Sequence, residues 1–115
     1  MKPVEQCKTL KALFVCQERW VQRYWQGYRD AKGHLTTIED SSHVIPCFCL
    51  DGGLDQVYGK NTPAKEKATK RIVAAILQLG LRKRLPEGQG GIIIFNDSKR
   101  TRWEHIKAVI HAARV

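Results

Sequence analysis

The segment Gly91-Ile92-Ile93-Ile94-Phe95-Asn96-Asp97 places four consecutive apolar residues between a glycine-rich stretch and a polar pair. The apolar run is short for a helix and does not alternate with polar residues, so it predicts a buried, strand-like segment near 91–95. We expect Asn96 and Asp97 to act in structure, satisfying backbone groups where the last helix begins. The alternative is an anion site at the N-terminus of that helix.

The last helix is expected to start directly after this segment. Thr101-Arg102-Trp103-Glu104 matches a capping box, in which the Thr101 hydroxyl accepts from a backbone N–H of the first turn and Glu104 reaches back. The structural motif predicted from the sequence comprises Asn96, Asp97, Thr101 and Glu104.

Apolar residues at spacings of three and four predict helices over 4–28, 46–58, 62–79 and 101–114. The third of these has clear signals, because Thr62-Pro63 suits a helix start and Gly80 a helix stop. Gly52 and Gly53 interrupt the second, where each costs about 1 kcal/mol relative to alanine. These glycines either allow close packing or divide the helix.

The predicted fold class is therefore mainly α, within α+β: a compact single domain over 1–115, with about four helices and one strand-like segment near 91–95. A lone strand cannot satisfy its backbone groups. It would pair with Thr36-Thr37-Ile38, with Val44-Ile45, or with a second copy of the chain in a homodimer.

The net charge of +9, from twenty basic and eleven acidic residues, favours nucleic acid or an acidic protein as partner. No apolar run reaches the roughly 18 residues that span a bilayer, and charges interrupt residues 1–20. We therefore expect a cytoplasmic protein with no membrane partner. In that compartment the cysteines stay reduced; they are Cys7, Cys16, Cys47 and Cys49.

Two groups of basic residues are the predicted nucleic-acid-binding residues, as phosphate contacts rather than base readers. They are Arg82, Lys83 and Arg84 in a loop, and Lys99, Arg100 and Arg102 near the start of the last helix. A basic helical face is added by Lys65, Lys67, Lys70 and Arg71. The alternative is a solvated surface that only keeps the protein soluble.

A second class of function is a protein- or small-ligand-binding module that uses an aromatic pocket and no nucleic acid. The lining residues would be Trp20, Tyr24, Trp25, Phe95 and Trp103. For the first three, core packing is favoured over a stacking platform for bases.

An enzyme is the least supported class. The available acids and bases are Asp51, Asp97, His105 and His111. No spacing places them within reach of one another, and no nucleophile elbow or phosphate-binding loop is present. His43, Cys47 and Cys49 are metal-ligand types, but their spacing does not match a zinc site, so neither a metal nor another cofactor is predicted.

Three short motifs together resemble a known group of proteins. Cys49-Leu50-Asp51-Gly52-Gly53-Leu54 is similar to a Cys-Leu-x-Gly-small-Leu motif, and Trp25-Gln26-Gly27 is similar to an aromatic segment ending in Gln-Gly. Phe95-Asn96-Asp97 with Arg100-Thr101 is similar to a Trp-Asn-Asp motif followed by Arg-Thr, although phenylalanine replaces the usual tryptophan. In order and spacing these motifs resemble short proteins of unknown function that are frequent in phages and actinobacteria.

The resemblance runs from about residue 5 to residue 114, and the basic loop 82–84 departs from it. It implies a link to mobile elements and implies no activity. The sequence as a whole predicts a small cytoplasmic accessory protein of a phage or other mobile element that binds nucleic acid non-specifically.

Overall fold

The computed structural model describes residues 2–115 and confirms the predicted class, mainly α within α+β. The α-helices are α1 (Leu10–Leu13), α2 (Leu50–Tyr58), α3 (Pro63–Gln78), α4 (Gln89–Asp97) and α5 (Trp103–Ala113). The strands are β1 (Gln26–Arg29), β2 (Leu35–Thr36) and β3 (Ile45–Phe48). Single turns of 3-10 helix lie at Val4–Gln6 and Gln17–Arg19.

The strands form a small antiparallel sheet in the order β2-β1-β3, with Tyr28 opposite both Thr36 and Pro46. The β1–β2 turn is organised by Asp30, whose Oδ1 accepts the backbone N–H groups of Lys32 and His34 at 2.9 and 2.8 Å. β3 is an edge strand, where proline is tolerated.

One hydrophobic core joins the helices to this sheet. α3 packs against α2, α4 and α5, and α1 packs against α2 and α5. The fully buried large side chains include Phe48, Leu50, Ile72, Ile92, Phe95 and Ile106. None of the helices between residues 2 and 115 combines the length and apolar character that crossing a bilayer requires.

The prediction of one long helix over 4–28 is wrong. This region holds two 3-10 turns, α1 and β1. The Thr9 side chain begins α1 by accepting from Ala12 N–H, and Arg23 has a φ of 71°, which a right-handed helix excludes. Val21 N–H donates to Phe48 O at 3.0 Å, so tertiary pairing overrides the helical spacing.

The prediction of a strand-like segment near 91–95 is also wrong, because these residues belong to α4. Gly91, Ile92, Phe95 and Asn96 face the core, at helical spacing, whereas Ile93 and Ile94 are 40% and 52% exposed. A run of four apolar residues is compatible with the periodicity of a helix and with that of a strand. Here the turn at Gly88 and the packing of one side of the run against the core favour the helix.

The partners suggested for that segment pair elsewhere. Thr36 lies opposite Tyr28, and Ile45 lies opposite Arg29, so both stretches belong to the sheet with β1. An unpaired strand at 91–95 is therefore no longer a reason to expect a homodimer.

The helices predicted over 62–79 and 101–114 are confirmed as α3 and α5, shorter by one or two residues at their ends. The helix predicted over 46–58 begins only at Leu50, because residues 46–48 extend β3. Of the alternatives for its two glycines, close packing holds. A Cβ at Gly52 would lie 2.2 Å from Trp25 O, and one at Gly53 would lie 2.5 Å from the Phe14 ring.

Adjacent glycines in α4 give a matched pair of variants. A Cβ at Gly91 would lie 2.1 Å from Pro86 O, whereas nothing lies within 4 Å of a Cβ at Gly90. We expect Gly91→Ala to lower the free energy of unfolding by about 1–3 kcal/mol through overpacking against backbone. Gly90→Ala is expected to raise it by about 0.5–1 kcal/mol, because alanine favours the helix. Urea denaturation measures both, and equal effects would contradict the packing at Gly91.

Candidate functional site

Asn96 is the centre of a buried hydrogen-bond network. Its side chain is 1% exposed, and its Oδ1 accepts from Trp20 Nε1 at 2.8 Å and from Leu50 N–H at 3.0 Å. Its Nδ2 donates to Val21 O at 3.1 Å and to Asp97 Oδ1 at 2.9 Å. All four hydrogen-bonding positions of the amide are thus used, and three of them join α4 to α2 and to the segment before β1.

Asp97 holds the backbone of Arg23. Its Oδ1 accepts the Arg23 N–H at 2.7 Å, and Arg23 is left-handed, a conformation that costs energy for a residue with a side chain. Asp97 is the last residue of α4. The sequence predicts this carboxylate near the start of the last helix; its hydrogen bonds come instead from Arg23 and Asn96, and α5 begins six residues later.

The predicted capping box is not formed. The Thr101 hydroxyl donates to Phe95 O at 2.7 Å and so ties the loop back to α4. Arg102 is the N-cap residue, and its backbone N–H donates to His105 Nδ1 at 3.0 Å, while Glu104 is exposed. The N-cap position is therefore occupied by Arg102, one residue later than the capping pattern indicates.

The Cys-Leu-x-Gly motif packs against the backbone of Trp25. Cys49 N–H donates to Trp25 O at 3.2 Å, and the close approach at Gly52 involves the same oxygen. Cys49 Sγ accepts Gly52 N–H at 3.2 Å and caps α2. Burial raises the pKa of the Cys49 thiol, which disfavours the thiolate that nucleophilic chemistry needs.

An ion-pair cluster next to this motif was not predicted from the sequence. Lys65 Nζ contacts Asp51 Oδ1 at 3.1 Å and also Asp55 Oδ1, and both carboxylates are nearly fully buried. Burial alone would lower the pKa of Lys65, but hydrogen bonds and charge from Asp55 and Asp51 outweigh it and raise the pKa. The sequence feature that could have indicated this cluster is the pair of aspartates one helical turn apart on an apolar helix.

A cleft of about 190 Å³ opens where the three motifs meet. Its lining residues are Arg23, Tyr24, Trp25, Cys49, Asp51, Gln89, Ile93, Asn96 and Asp97. Trp25 Nε1 donates to Asp55 Oδ2 at 3.0 Å, and Gln89 Nε2 donates to Asp51 Oδ2 at 2.7 Å. Tyr24 and Trp25 are 46% and 47% exposed.

The five predicted pocket aromatics do not share one pocket. Trp20 and Phe95 are buried in the core, and the Trp20 and Trp103 ring centroids lie 6.3 Å apart. Only Tyr24 and Trp25 line the cleft. The favoured interpretation as core therefore describes Trp20, whereas Tyr24 and Trp25 are half exposed.

Arg82 brings the two predicted basic groups together. Its guanidinium lies 5.6 Å from the centre of the Phe95 ring and donates to Leu81 O at 2.7 Å and to Thr101 Oγ1 at 3.4 Å. The remaining basic residues are exposed on the two loops and at the start of α5: Lys83, Arg84, Lys99, Arg100 and Arg102. The predicted basic face of α3 is divided, because Lys65 turns inward and Lys70 pairs with Glu66 at 3.5 Å.

The metal-ligand residue types lie apart. His43 Nδ1 is 3.0 Å from both Ser42 Oγ and Asp40 Oδ1, whereas Cys47 and Cys49 are buried. In the part of the chain that the structure describes, no three side chains of His, Cys, Asp or Glu come together as metal ligands.

The fold and the network define a small α+β protein whose sequence motifs converge on one buried asparagine and one cleft. The chain belongs to DUF6197, a family of unknown function, whose model matches residues 9–115. Neither a curated protein nor a solved structure matches the chain.

Proposed function

We propose that this protein is a small cytoplasmic accessory protein of a phage or other mobile element that binds nucleic acid non-specifically. The binding region would be the basic surface, defined as Arg82, Lys83, Arg84, Lys99, Arg100 and Arg102. One observation supports the proposal: the Arg82 guanidinium donates to Thr101 Oγ1 at 3.4 Å, so the two loops that carry these charges are in contact. The link to mobile elements rests on the motif resemblance.

The charges of the basic surface are available to a polyanion. Within residues 2–115, no ion pair engages these six side chains, and the nearby acidic residue in sequence, Glu104, is exposed. Arg82 packs on Phe95 and positions the loop, whereas the five exposed residues would contact phosphates. Exposed cations of this kind attract nucleic acid by releasing counterions, without reading sequence.

A salt titration of binding tests the proposal. We expect the chain to bind a short labelled DNA at about 50 mM salt, with affinity falling steeply as salt rises. Lys99→Ala/Arg100→Ala is expected to reduce the slope of log K against log salt by about 2, because two phosphate contacts are removed. The matched control, Lys32→Ala/Lys60→Ala, removes the same charge from exposed positions outside the basic surface and is expected to change the slope less. Absence of binding at low salt, or equal effects of the two double variants, would contradict the proposal.

A protein- or small-ligand-binding module is the second candidate. It is supported by the two half-exposed aromatic side chains, Tyr24 and Trp25, on one cleft. An acidic protein partner would instead use the basic surface. In the titration above, this candidate predicts no DNA binding at any salt concentration.

A further inference from the structure

We propose that the cleft receives one unstacked base of a single-stranded nucleic acid, while the neighbouring phosphates lie on the basic surface. This inference rests on the proposed function and adds to it a form of nucleic acid and a base preference. It is carried by the exposed aromatic pair, of which Trp25 is held by a hydrogen bond, by the acceptor atoms of the cleft lining, and by the position of the cleft next to the basic surface.

Of the two aromatic side chains, Trp25 is held in place before any ligand binds. Trp25 is fixed through its Nε1 bond to Asp55 and by contact with α2 at Gly52, yet nearly half of its surface is exposed. Tyr24 precedes it and is equally exposed. Exposed aromatic faces bind single-stranded bases by stacking, and a preorganised face loses little freedom in doing so.

The cleft adjoins the basic surface through α4 and the loop after it. Asp97 lines the cleft and Lys99 follows two residues later, so their Cα atoms are within about 7 Å. Arg23, on the cleft wall, adds a further exposed cation. A strand whose phosphates contact Lys99 and Arg100 would therefore reach the cleft with an adjacent base.

Two acceptor groups that line the cleft favour a base over a phosphate. Within residues 2–115 the hydrogen bonds to the Asp97 carboxylate fall on Oδ1, which leaves Oδ2 as an acceptor. Gln89 uses its Nε2 on Asp51, which leaves its Oε1 as a second acceptor. A carboxylate repels phosphate and accepts from the exocyclic amines of cytosine and adenine, which thymine lacks.

The size of the cleft agrees with this occupant. Its volume of about 190 Å³ lies below the roughly 300 Å³ at which pockets for drug-sized ligands begin. It suits one flat ring system rather than a larger ligand.

Fluorescence anisotropy with labelled dC12, dT12 and a duplex of the same length, at one low salt concentration, tests the inference. We expect tighter binding of dC12 than of dT12 or duplex, and we expect Tyr24→Ala to weaken dC12 binding about tenfold while leaving the duplex unchanged. Asp97→Asn, which replaces the free acceptor with a donor, is expected to reduce the preference for dC12 over dT12. The control Ile38→Ala alters a side chain that is 74% exposed and outside the cleft, and it is expected to change no affinity.

The outcomes separate the two proposals. If all three ligands bind equally and Tyr24→Ala changes none of them, the base site is overturned while the proposed function stands. If none of them binds at low salt, the proposed function fails and the base site fails with it. Thermal unfolding of each variant, compared with the unmodified chain, shows that a lost affinity does not reflect a lost fold.

Discussion

Asn96→Ala is expected to lower the free energy of unfolding by about 3–5 kcal/mol, because several buried groups lose their partner together. Trp20 Nε1 and the Leu50 N–H would lose their acceptor, and Val21 O would lose its donor. Each unsatisfied buried group costs about 1–3 kcal/mol, and only part of this is recovered by water entering the space. Urea denaturation followed by circular dichroism measures the change.

Gln78→Ala is the control for Asn96. Gln78 ends α3 and is exposed, so its substitution is expected to stay within about 0.5 kcal/mol of the unmodified chain. An Asn96→Ala variant as stable as this control would show that the network is not needed for the fold. Such a result would instead favour a role of Asn96 in binding.

Lys65→Met is expected to lower the free energy of unfolding by about 3–5 kcal/mol, the range for breaking a buried ion pair from one side. Methionine keeps an unbranched side chain but leaves Asp51 and Asp55 buried without their shared cation. The exposed pair of Lys70 and Glu66 provides the control, because Lys70→Met is expected to change stability by less than about 1 kcal/mol.

The effect of Lys65 also has a defined pH dependence. Its pKa is raised in the folded chain, so the folded state holds the proton more tightly than the unfolded state does. The resulting stability is fully present below the ordinary lysine pKa of about 10.4, and it is lost as the pH rises through the raised value. The difference in unfolding free energy between the unmodified chain and Lys65→Met should therefore shrink above that pH. A difference that stays constant there would contradict the ion-pair explanation.

The motifs that carry the family resemblance serve the fold first. Gly52 allows the Trp25 backbone to approach α2, Cys49 caps that helix, and Asn96 joins both to α4. The cleft and the basic surface are placed around this buried framework. The framework explains the spacing of the motifs, whereas the binding that we propose would use the exposed residues around it.

Features that depend on local chemistry can be predicted from the sequence alone. Thr62 and Pro63 start α3 because a side-chain cap and a residue without N–H suit that position, and the Thr62 hydroxyl does accept Lys65 N–H at 3.1 Å. The sequence also predicts α5, because its apolar residues recur over enough positions to favour the helical period over the strand period. The chemical types of the candidate phosphate contacts follow from the residue names and charge alone.

Where the local sequence pattern is compatible with more than one structure, tertiary packing selects between them. The apolar run at 92–95 fits a strand or a helix, and only the core facing Ile92 and Phe95 selects the helix. Residues 4–28 have helical spacing, but pairing of Val21 with Phe48 and the left-handed Arg23 impose an irregular path. The Lys65 ion pairs, the meeting of the basic loops at Arg82 and Thr101, and the cleft beside Trp25 all join residues distant in sequence. Such contacts depend on how the elements pack, which local pattern does not encode.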